Sequence, residues 1–342
     1  KGSRSYPRVR RTYPLRYHPH MVTVQEALAK VAEAVGSREL RTEHVELDDA
    51  LGRVLGADVR MDHDEPPFDH AAMDGFAVAE TPSEGATLAI VGAVAAGSLP
   101  AATPGPGTAV RIMTGAPVPA GTTRVIPFEW TQAVGDQVVV DRIPSDATHV
   151  VSQGAHVREG EIVVQEGRRI DAGVLGALAT AGQLRVEVAL RPSVAVLGTG
   201  SELAHVASRP KPGQVRDSNT ALLRGLARRS GAEAVDLGVV VDNEDELRWA
   251  IRRGLGVDVL VLSGGVSRGD LDLVPGALQA EGVRQVFHRW KVQPGGPLWF
   301  GVHERTLVFG LPGNPAASFV GFELLVVPAL RGLLGAPVEA RR

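Results

Sequence analysis

Hydrophobic and polar positions follow different patterns in the two halves of the chain. Thr23 and Glu26 form a capping box ahead of apolar residues at helical spacing, which predicts a helix that ends near Gly36. From residue 44 to about residue 190, short apolar runs such as "HVEL", "TLAIVGAVAAG" and "QVVVDRI" alternate with frequent Pro and Gly. Apolar runs bounded by turn residues are typical of strands. We therefore predict a β-rich first half, for which a small barrel or sandwich would fit.

After Arg191 and Pro192 the pattern changes to apolar strands that alternate with amphipathic helices. The predicted strands are "SVAVLGTG", "AEAVDLGVVVD", "DVLVLSGG" and "TLVFGLPG", and each is followed by a run with helical spacing. Such alternation is typical of βαβ units, in which helices cover both faces of a parallel sheet. The predicted fold class is therefore α/β plus β-rich, with a doubly wound, mostly parallel sheet domain that begins near residue 190.

Composition and charge exclude several classes of protein. The 342 residues carry a net charge of −3, which gives no general reason to bind nucleic acid or an anionic membrane. There is no cysteine, so disulfides and cysteine zinc sites are excluded, as is common in the cytoplasm. The most apolar stretch, residues 316–330, contains Glu323 and Pro328, so no transmembrane helix is expected. The basic first twenty residues are predicted to form a disordered tail.

Three of the predicted strands end in glycine-containing turns that carry polar side chains. The carboxyl ends of parallel strands meet at one edge of a sheet, where open α/β sheets bind their ligands. Glycines permit close approach to the backbone, and the N-terminus of the next helix attracts an anion. The spacing matches neither a dinucleotide fingerprint nor a Walker loop. The sequence therefore predicts a phosphate site built from Thr199, Ser201, Glu202, Gly264, Gly265, Ser267, Asp270, Asp272, Asn314 and Ser318.

Four acidic residues accompany these turns in the predicted topology, namely Glu202, Asp217, Asp270 and Asp272. Carboxylates beside a phosphate pocket are the ligands that Mg²⁺ prefers. Helix capping is the alternative for Asp217 and Asp270, since both stand at predicted helix starts. For each acid alone capping is the better interpretation, whereas the convergence of three turns favours a ligand site.

A separate polar stretch, residues 61–70 with the sequence "MDHDEPPFDH", contains two histidines and four acids. These are metal-binding residue types, so a zinc site is one interpretation. Pro66 and Pro67 predict a turn-rich surface loop, in which polar residues are expected without a metal. The loop interpretation is favoured.

Five stretches of the chain resemble motifs of the molybdopterin molybdotransferase family, which includes the gephyrin E domain. They are "PPFDHAAMDGFAV" (66–78), "RIMTGAPVPAGTTRVIPFE" (111–129), "GQVRDSN" (213–219), "LSGGVSRGDLD" (262–272) and "GLPGNPAASFVGFELLVVPAL" (310–330). Each stretch alone is weak evidence for the family, but five stretches in the order found in the family are specific evidence. The resemblance covers about residues 21–334.

The resemblance implies an enzyme that uses adenylylated molybdopterin and molybdate and releases AMP, in the last step of molybdenum cofactor biosynthesis. It implies Asp74, Thr114 and Glu202 as catalytic residues, and Asp217 and Asp272 as Mg²⁺ ligands. It also implies a cytoplasmic homodimer that receives its substrate from the molybdopterin adenylyltransferase, with each site shared between two subunits. Together with the turns above, it predicts substrate binding by Gly264, Gly265, Ser267, Asp270, Arg289, Pro294, Pro297, Asn314 and Ser318.

The family pattern predicts a division of the chain into domains. The tail at 1–20 is followed by an elongated linker and dimerisation domain (21–82 and 147–190), which holds a small β-rich domain (83–146). The α/β molybdopterin-binding domain covers 191–334, and the family's C-terminal β-barrel domain is expected to be absent.

Two residues depart from the family pattern at the segment that receives molybdate. The family has "KPGKP" there, whereas residues 292–297 read "VQPGGP", so that Gln293 and Gly296 replace lysines. Arg289 and Lys291 lie just upstream and could substitute for the lost charges. Ala71 also replaces a serine of the family pattern. These differences favour binding of adenylylated molybdopterin over molybdate, and they leave open a non-catalytic relative or a scaffold protein.

Overall fold

The protein is described by a computed structural model that covers residues 21–143, 147–266 and 273–339. The predicted tail, together with Ser267, Asp270 and Asp272, lies outside the described residues. The first helix, Val24–Gly36, begins at the predicted capping box, since Glu26 N donates to Thr23 Oγ1 and Thr23 N donates to the Glu26 carboxylate. Its buried face packs into the core of the α/β sheet.

Helix α1 is followed, from residue 42 to residue 189, by short strands and few helices, as predicted. In chain order these elements are α1 (Val24–Gly36), β1 (Thr42–Glu46), a 3₁₀ turn (Leu47–Asp49), β2 (Val59–Arg60), β3 (His70–Ala71), β4 (Gly75–Val78), β5 (Thr87–Val94), β6 (Thr108–Ile112), β7 (Arg124–Pro127), a 3₁₀ turn (Phe128–Trp130), β8 (Thr131–Val134), β9 (Gln137–Val140), β10 (Val150–Val151), β11 (Ile162–Val164), α2 (Ala172–Thr180) and β12 (Arg185–Ala189).

The pairing of these strands separates a central sheet from the segments on either side of it. Strands β1, β2 and β3 pair antiparallel with β12, β11 and β10. Between them lies a six-stranded mixed sheet in the order β7-β4-β6-β5-β9-β8. Alternate residues of this sheet enter two separate apolar clusters, so each of its faces packs against a small core. The central sheet includes β4, which lies before residue 83, the predicted start of the small β-rich domain. The predicted domain boundaries stay predictions.

The C-terminal half contains the predicted alternation of strands and helices. Its elements are β13 (Ser193–Thr199), β14 (Leu203–Ala204), β15 (Val215–Arg216), α3 (Asn219–Arg229), β16 (Glu233–Val240), α4 (Glu244–Gly254), β17 (Val259–Ser263), α5 (Val274–Ala280), β18 (Arg284–His288), β19 (Trp299–His303), β20 (Thr306–Leu311), α6 (Pro315–Gly321), a π-helical turn (Phe322–Val326) and α7 (Val327–Leu333).

Six of these strands form one sheet in the order β16-β13-β17-β20-β19-β18. The first four are parallel, while β19 and β18 add an antiparallel pair at one edge. Alternate residues of β13 face opposite sides: Val194 and Val196 pack with α1, α3 and the C-terminal helix, whereas Ala195 and Leu197 pack with α4 and α5. Both faces are therefore covered, as the apolar strand pattern predicts.

The C-terminal helix, Pro315–Leu333, contains a π-helical turn just before Pro328. Pro328 has no N–H for the carbonyl four residues earlier, so the regular hydrogen-bond ladder is interrupted there. Among the described helices, this is the one long and apolar enough to cross a membrane by length and composition alone. Its buried residues belong to the main core cluster of the sheet, and a buried core helix meets the same criteria.

Candidate functional site

The carboxyl ends of β13, β17 and β20 meet around a cavity of about 280 Å³, which we call the strand-end pocket. The pocket contains five of the residues that the sequence predicts for the site: Thr199, Glu202, Gly264, Gly265 and Pro297. The predicted convergence of the three turns is therefore present in the structure. The lining residues are Thr199, Gly200, Glu202, Asp242, Gly264, Gly265, Val266, Pro297, Pro312 and Gly313.

The turn after β17 depends on two glycines with left-handed backbone conformations. Gly264 has a φ of +102°, and a Cβ atom at this position would lie 2.4 Å from the carbonyl oxygen of Thr199. Gly265 has a φ of +64°, and its Cβ would lie 2.8 Å from a methyl group of Val274. Only glycine fits at position 264 without moving the backbone, whereas a Cβ atom at position 265 would displace the Val274 side chain. Glycine at position 264 therefore allows the turn after β17 to lie close to the turn after β13.

Asn219, at the start of α3, links the other elements of the site. Its Nδ2 donates to Ser263 Oγ at 2.7 Å and to the carbonyl oxygen of Gly313 at 2.8 Å. The side chain is buried, and its Oδ1 has no hydrogen-bond partner among the described residues. One amide therefore connects helix α3, the end of β17 and the turn after β20.

Replacing Asn219 with alanine is expected to lower the free energy of unfolding by about 2 kcal/mol, because the buried oxygens of Ser263 and Gly313 would lose their shared donor. Asn219→Asp is expected to cost at least as much, since it places a carboxylate oxygen against the Gly313 carbonyl. Urea unfolding at pH 7 measures both variants. A loss below about 0.5 kcal/mol for Asn219→Ala would show that the amide link contributes little.

Asp242 is a pocket residue that was not predicted from the sequence. Its Oδ2 accepts hydrogen bonds from the backbone N–H of Ser201 at 3.1 Å and from Ser201 Oγ at 2.9 Å. The Asp242 N–H donates back to Ser201 Oγ at 3.1 Å. The residue follows the end of β16, so the strand-end rule applies to it as well. It was missed because that turn contains no glycine to draw attention to it.

Asp217 has the capping contact that was the alternative to a metal-binding role. Its Oδ1 accepts from the backbone N–H of Thr220 at 3.0 Å, in the first turn of α3. The residue is close to the sheet, since a Cβ atom on Gly198 would lie 3.6 Å from Asp217 Oδ2. It is not part of the pocket lining among the described residues. The role of Asp217 as a metal ligand stays a prediction, as does that of Asp272.

Asn314 and Ser318 stabilise the turn that follows β20. Asn314 Oδ1 accepts from the N–H groups of Ala316 at 3.0 Å and Ala317 at 3.3 Å, which caps α6. Ser318 is fully buried, and its hydroxyl donates to the carbonyl oxygen of Pro312. Both side chains thus hold the turn that carries Gly313 into the pocket, and their predicted contacts with substrate stay predictions.

The segment that departs from the family pattern borders the pocket through Pro297. Arg289, just upstream of this segment, has a φ of +76°, an unusual conformation for a residue with a side chain. Its N–H donates to the Leu298 carbonyl at 2.7 Å, while its buried Nε has no partner among the described residues. Pro294 is exposed to solvent. Substrate contacts of Arg289, Pro294 and Pro297 stay predictions.

Asp74 and Thr114 lie together in the β-rich half. Asp74 Oδ1 accepts from the Thr114 N–H at 2.7 Å and from Thr114 Oγ1 at 2.8 Å. The backbone hydrogen bond, and to a smaller degree the hydroxyl, hold the pKa of Asp74 below its ordinary value. Within the described ranges, neither residue lines the strand-end pocket of the same chain.

The Asp74 interaction predicts a specific dependence on pH. Because the folded-state pKa of Asp74 is lowered, its stabilising contribution is fully present above about pH 4 and is lost as the pH falls through the folded-state pKa. Thr114→Val removes the hydroxyl donor and is expected to raise the pKa of Asp74 towards the ordinary value. A carbon-13 NMR titration of the carboxyl group measures this shift.

Thr123→Val serves as the control for Thr114→Val, because the Thr123 hydroxyl donates to backbone carbonyls of Val78 and Ala79 and to no carboxylate. It should leave the pKa of Asp74 unchanged. If Thr114→Val also leaves that pKa unchanged, the hydroxyl contact of Asp74 does not persist in solution.

The pocket offers oxygen ligands suited to a hard divalent cation. Glu202 and Asp242 both line it, and one Asp242 oxygen is already held by Ser201. Mg²⁺ in proteins commonly binds one or two carboxylates together with substrate phosphates. No group of three or more His, Cys, Asp or Glu that could enclose a metal exists within the described part of the chain. The donor set therefore fits a cation shared with a bound ligand.

The fold and the pocket together define a class of protein: an α/β sheet domain with a ligand pocket at its strand ends, joined to a β-rich region. Comparison with known proteins makes this more specific. Residues 22–182 match the family model described as the MoeA N-terminal region, domains I and II. Residues 195–332 match the model described as a probable molybdopterin binding domain.

Full-length relatives agree with both family models. The chain is 33% identical over 322 residues to the molybdopterin molybdenumtransferase of Staphylococcus epidermidis, covering 92% of this chain and 76% of the relative. It is 34% identical over 321 residues to the same enzyme from Bacillus subtilis, covering 91% and 74%. A crystal structure of the molybdopterin biosynthesis MoeA protein from Pyrococcus horikoshii superposes with a TM-score of 0.77 at 33% identity, covering 92% of this chain and 80% of that one. The chain therefore belongs to the MoeA family of molybdopterin molybdenumtransferases.

Proposed function

We propose that this chain is a molybdopterin molybdotransferase, which transfers molybdenum from molybdate into adenylylated molybdopterin and releases AMP. The strand-end pocket is the observation that supports this function most directly. It combines close backbone approach at Gly264 and Gly265 with the carboxylates of Glu202 and Asp242. This combination suits a phosphorylated substrate, because a backbone turn can receive its phosphate while an acid holds the accompanying cation.

Glu202 is the better candidate for general base in this pocket. Cleavage of the phosphoanhydride-like bond requires an attacking oxygen that is oriented or deprotonated near the phosphate. Asp74 is the other predicted candidate, but its two hydrogen bonds from Thr114 lower its pKa and make it a weaker base. Asp74 is therefore better suited to orient a substrate group by accepting a hydrogen bond from it. Thr114 holds the Asp74 carboxylate in place for this role.

Mg²⁺ would be held by Asp242, which leaves Glu202 free to act as the base, with Asp217 and Asp272 as the family-based candidates for further ligands. Such a cation neutralises charge on a phosphate and stabilises the leaving group. Asp242 is kept in one orientation by the three hydrogen bonds that it exchanges with Ser201. A carboxylate fixed in this way loses little freedom when it binds a cation.

A homodimer would complete the site in this proposal. Asp74 and Thr114 are absent from the strand-end pocket of their own chain as far as the structure describes it, so the β-rich half of a second subunit would supply them. The same proposal includes a cytoplasmic location and delivery of the substrate by the molybdopterin adenylyltransferase. Its support is the family resemblance.

A non-catalytic relative that binds pterin or nucleotide is the second candidate. Gln293 and Gly296 replace lysines of the family pattern, and loss of two positive charges weakens an oxyanion site. Pro297 of the same segment lines the pocket, so the change is close to the proposed substrate.

An AMP-release assay distinguishes the two candidates. Purified protein is mixed with adenylylated molybdopterin, Mg²⁺ and molybdate, and AMP is quantified by chromatography. The transferase proposal predicts AMP release that requires Mg²⁺ and molybdate. Binding of nucleotide without AMP release would contradict it and would support the non-catalytic relative.

A further inference from the structure

A second group of charged residues lies at the opposite end of the parallel strands from the strand-end pocket. Arg38 follows α1, Arg41 directly precedes β1, and Arg305 directly precedes β20. We call these three residues the arginine cluster. Asp258, which directly precedes β17, contacts the cluster. Because β17 and β20 are parallel, the cluster lies at the amino ends of the strands and is separate from the proposed active site.

The cluster has more positive charge than its neighbouring carboxylate balances. Asp258 Oδ1 accepts from Arg41 Nη2 at 2.5 Å. Its Oδ2 accepts from the N–H and the hydroxyl of Ser193 at 2.8 and 2.9 Å. Both oxygens of Asp258 are thus engaged, while Arg38 and Arg305 have no ion pair with any residue that the structure describes. Three arginines and one aspartate leave the group with two excess positive charges.

Arg38 gives the most direct indication that a partner is missing. Its Nη2 is inaccessible to solvent and has no hydrogen-bond partner within the described ranges. Burial is the main cause that lowers the pKa of Arg38, with Asp258 opposing it and Arg305 and Arg41 adding to it. A buried N–H group without an acceptor is unfavourable, because it has lost water and gained no hydrogen bond. An anionic acceptor would supply that hydrogen bond and would also pair with the positive charge.

Space for an anion adjoins the cluster. Arg38, Arg41 and Arg305 line a cavity of about 790 Å³, together with Lys30 and Arg284. The cavity also has carboxylates in its lining, from Glu33, Glu39 and Glu304. The basic side chains of the lining nevertheless outnumber these acids by five to three. The cavity therefore keeps an excess of positive charge.

We propose that the arginine cluster binds a phosphate-type dianion, either free phosphate or the phosphate group of a small metabolite. The excess of basic over acidic side chains in the cavity lining favours an anion. The planar guanidinium group also presents paired N–H donors with the spacing of phosphate oxygens. This site is independent of the proposed transferase reaction, since it lies at the amino ends of the parallel strands and the strand-end pocket lies at their carboxyl ends.

Unfolding in the presence of phosphate tests the proposal. The midpoint of urea unfolding is measured with increasing phosphate at constant ionic strength, for the unchanged protein and for Arg38→Met, Arg305→Met and Arg252→Met. Arg252 is the control, because it pairs with Glu281 and does not line the cavity. Glycerol phosphate in a parallel series distinguishes a phosphate ester from free phosphate as the ligand.

The expected result is a saturable rise in the midpoint for the unchanged protein and for Arg252→Met, and at least a tenfold weaker apparent affinity in Arg38→Met and Arg305→Met. Phosphate bound in the strand-end pocket would act equally on all four proteins, so the difference between them reports the arginine cluster alone. Two variants keep the test usable if one of them fails to fold. Equal responses in Arg38→Met and the unchanged protein, or no saturable response to either anion, would overturn the proposal.

Discussion

Replacing Gly264 with alanine is expected to destabilise the protein by about 3 kcal/mol or more and to weaken nucleotide binding. The left-handed φ of +102° disfavours any side chain, and the new Cβ would lie 2.4 Å from the Thr199 carbonyl oxygen. Thr199 ends β13 and Gly264 follows β17. The overlap is therefore relieved only if the backbones of these two turns of the pocket move apart. Urea unfolding gives the stability, and titration with AMP gives the affinity.

Gly225→Ala is the matched control for this substitution. Gly225 lies within α3, and a Cβ atom there would have no neighbour within 4 Å. Alanine in an exposed helix position should raise the free energy of unfolding by about 0.5–1 kcal/mol. If Gly264→Ala is as stable as the unchanged protein, the close approach of the two turns does not determine the pocket.

Asp242→Asn is expected to lower the rate of AMP release about 100-fold while leaving the protein folded. The variant keeps an oxygen that can accept from Ser201, but it removes the negative charge that would hold Mg²⁺ in the pocket. More Mg²⁺ should therefore be needed for half-maximal activity. AMP release measured over a range of Mg²⁺ concentrations gives both quantities.

Asp245→Asn is the control for the charge change. Asp245 lies three residues further on, in the first turn of α4, and is exposed and outside the pocket lining. Its replacement should leave the rate and the Mg²⁺ requirement unchanged. Equal activity of the two variants would mean that Asp242 has no part in the reaction.

The apolar pattern was sufficient to predict the four parallel strands and the helices between them. Residues 194–197 in the middle of β13 are all apolar because both faces of the strand are covered. The antiparallel strands β18 and β19 were not predicted. Both flank the Pro- and Gly-rich segment 292–297, and their pairing depends on contacts that local sequence does not record.

The candidate site was predictable where its chemistry requires one residue type. Gly264 and Gly265 were predicted because close backbone approach excludes other residues. Asp242 and Asn219 were not, since an acid or an amide at the end of an element is usually a solvated or capping residue. Their importance follows from what they contact across the sheet: Asp242 holds Ser201, and Asn219 joins two turns.

The central claim is that the strand-end pocket holds the phosphorylated substrate. A crystal of the protein soaked with AMP, Mg²⁺ and molybdate tests it most directly. The account predicts the AMP phosphate against the turn at Gly264 and Gly265, with Mg²⁺ bound at Asp242 in the same pocket. A phosphate and a cation bound elsewhere, with this pocket containing only water, would contradict it.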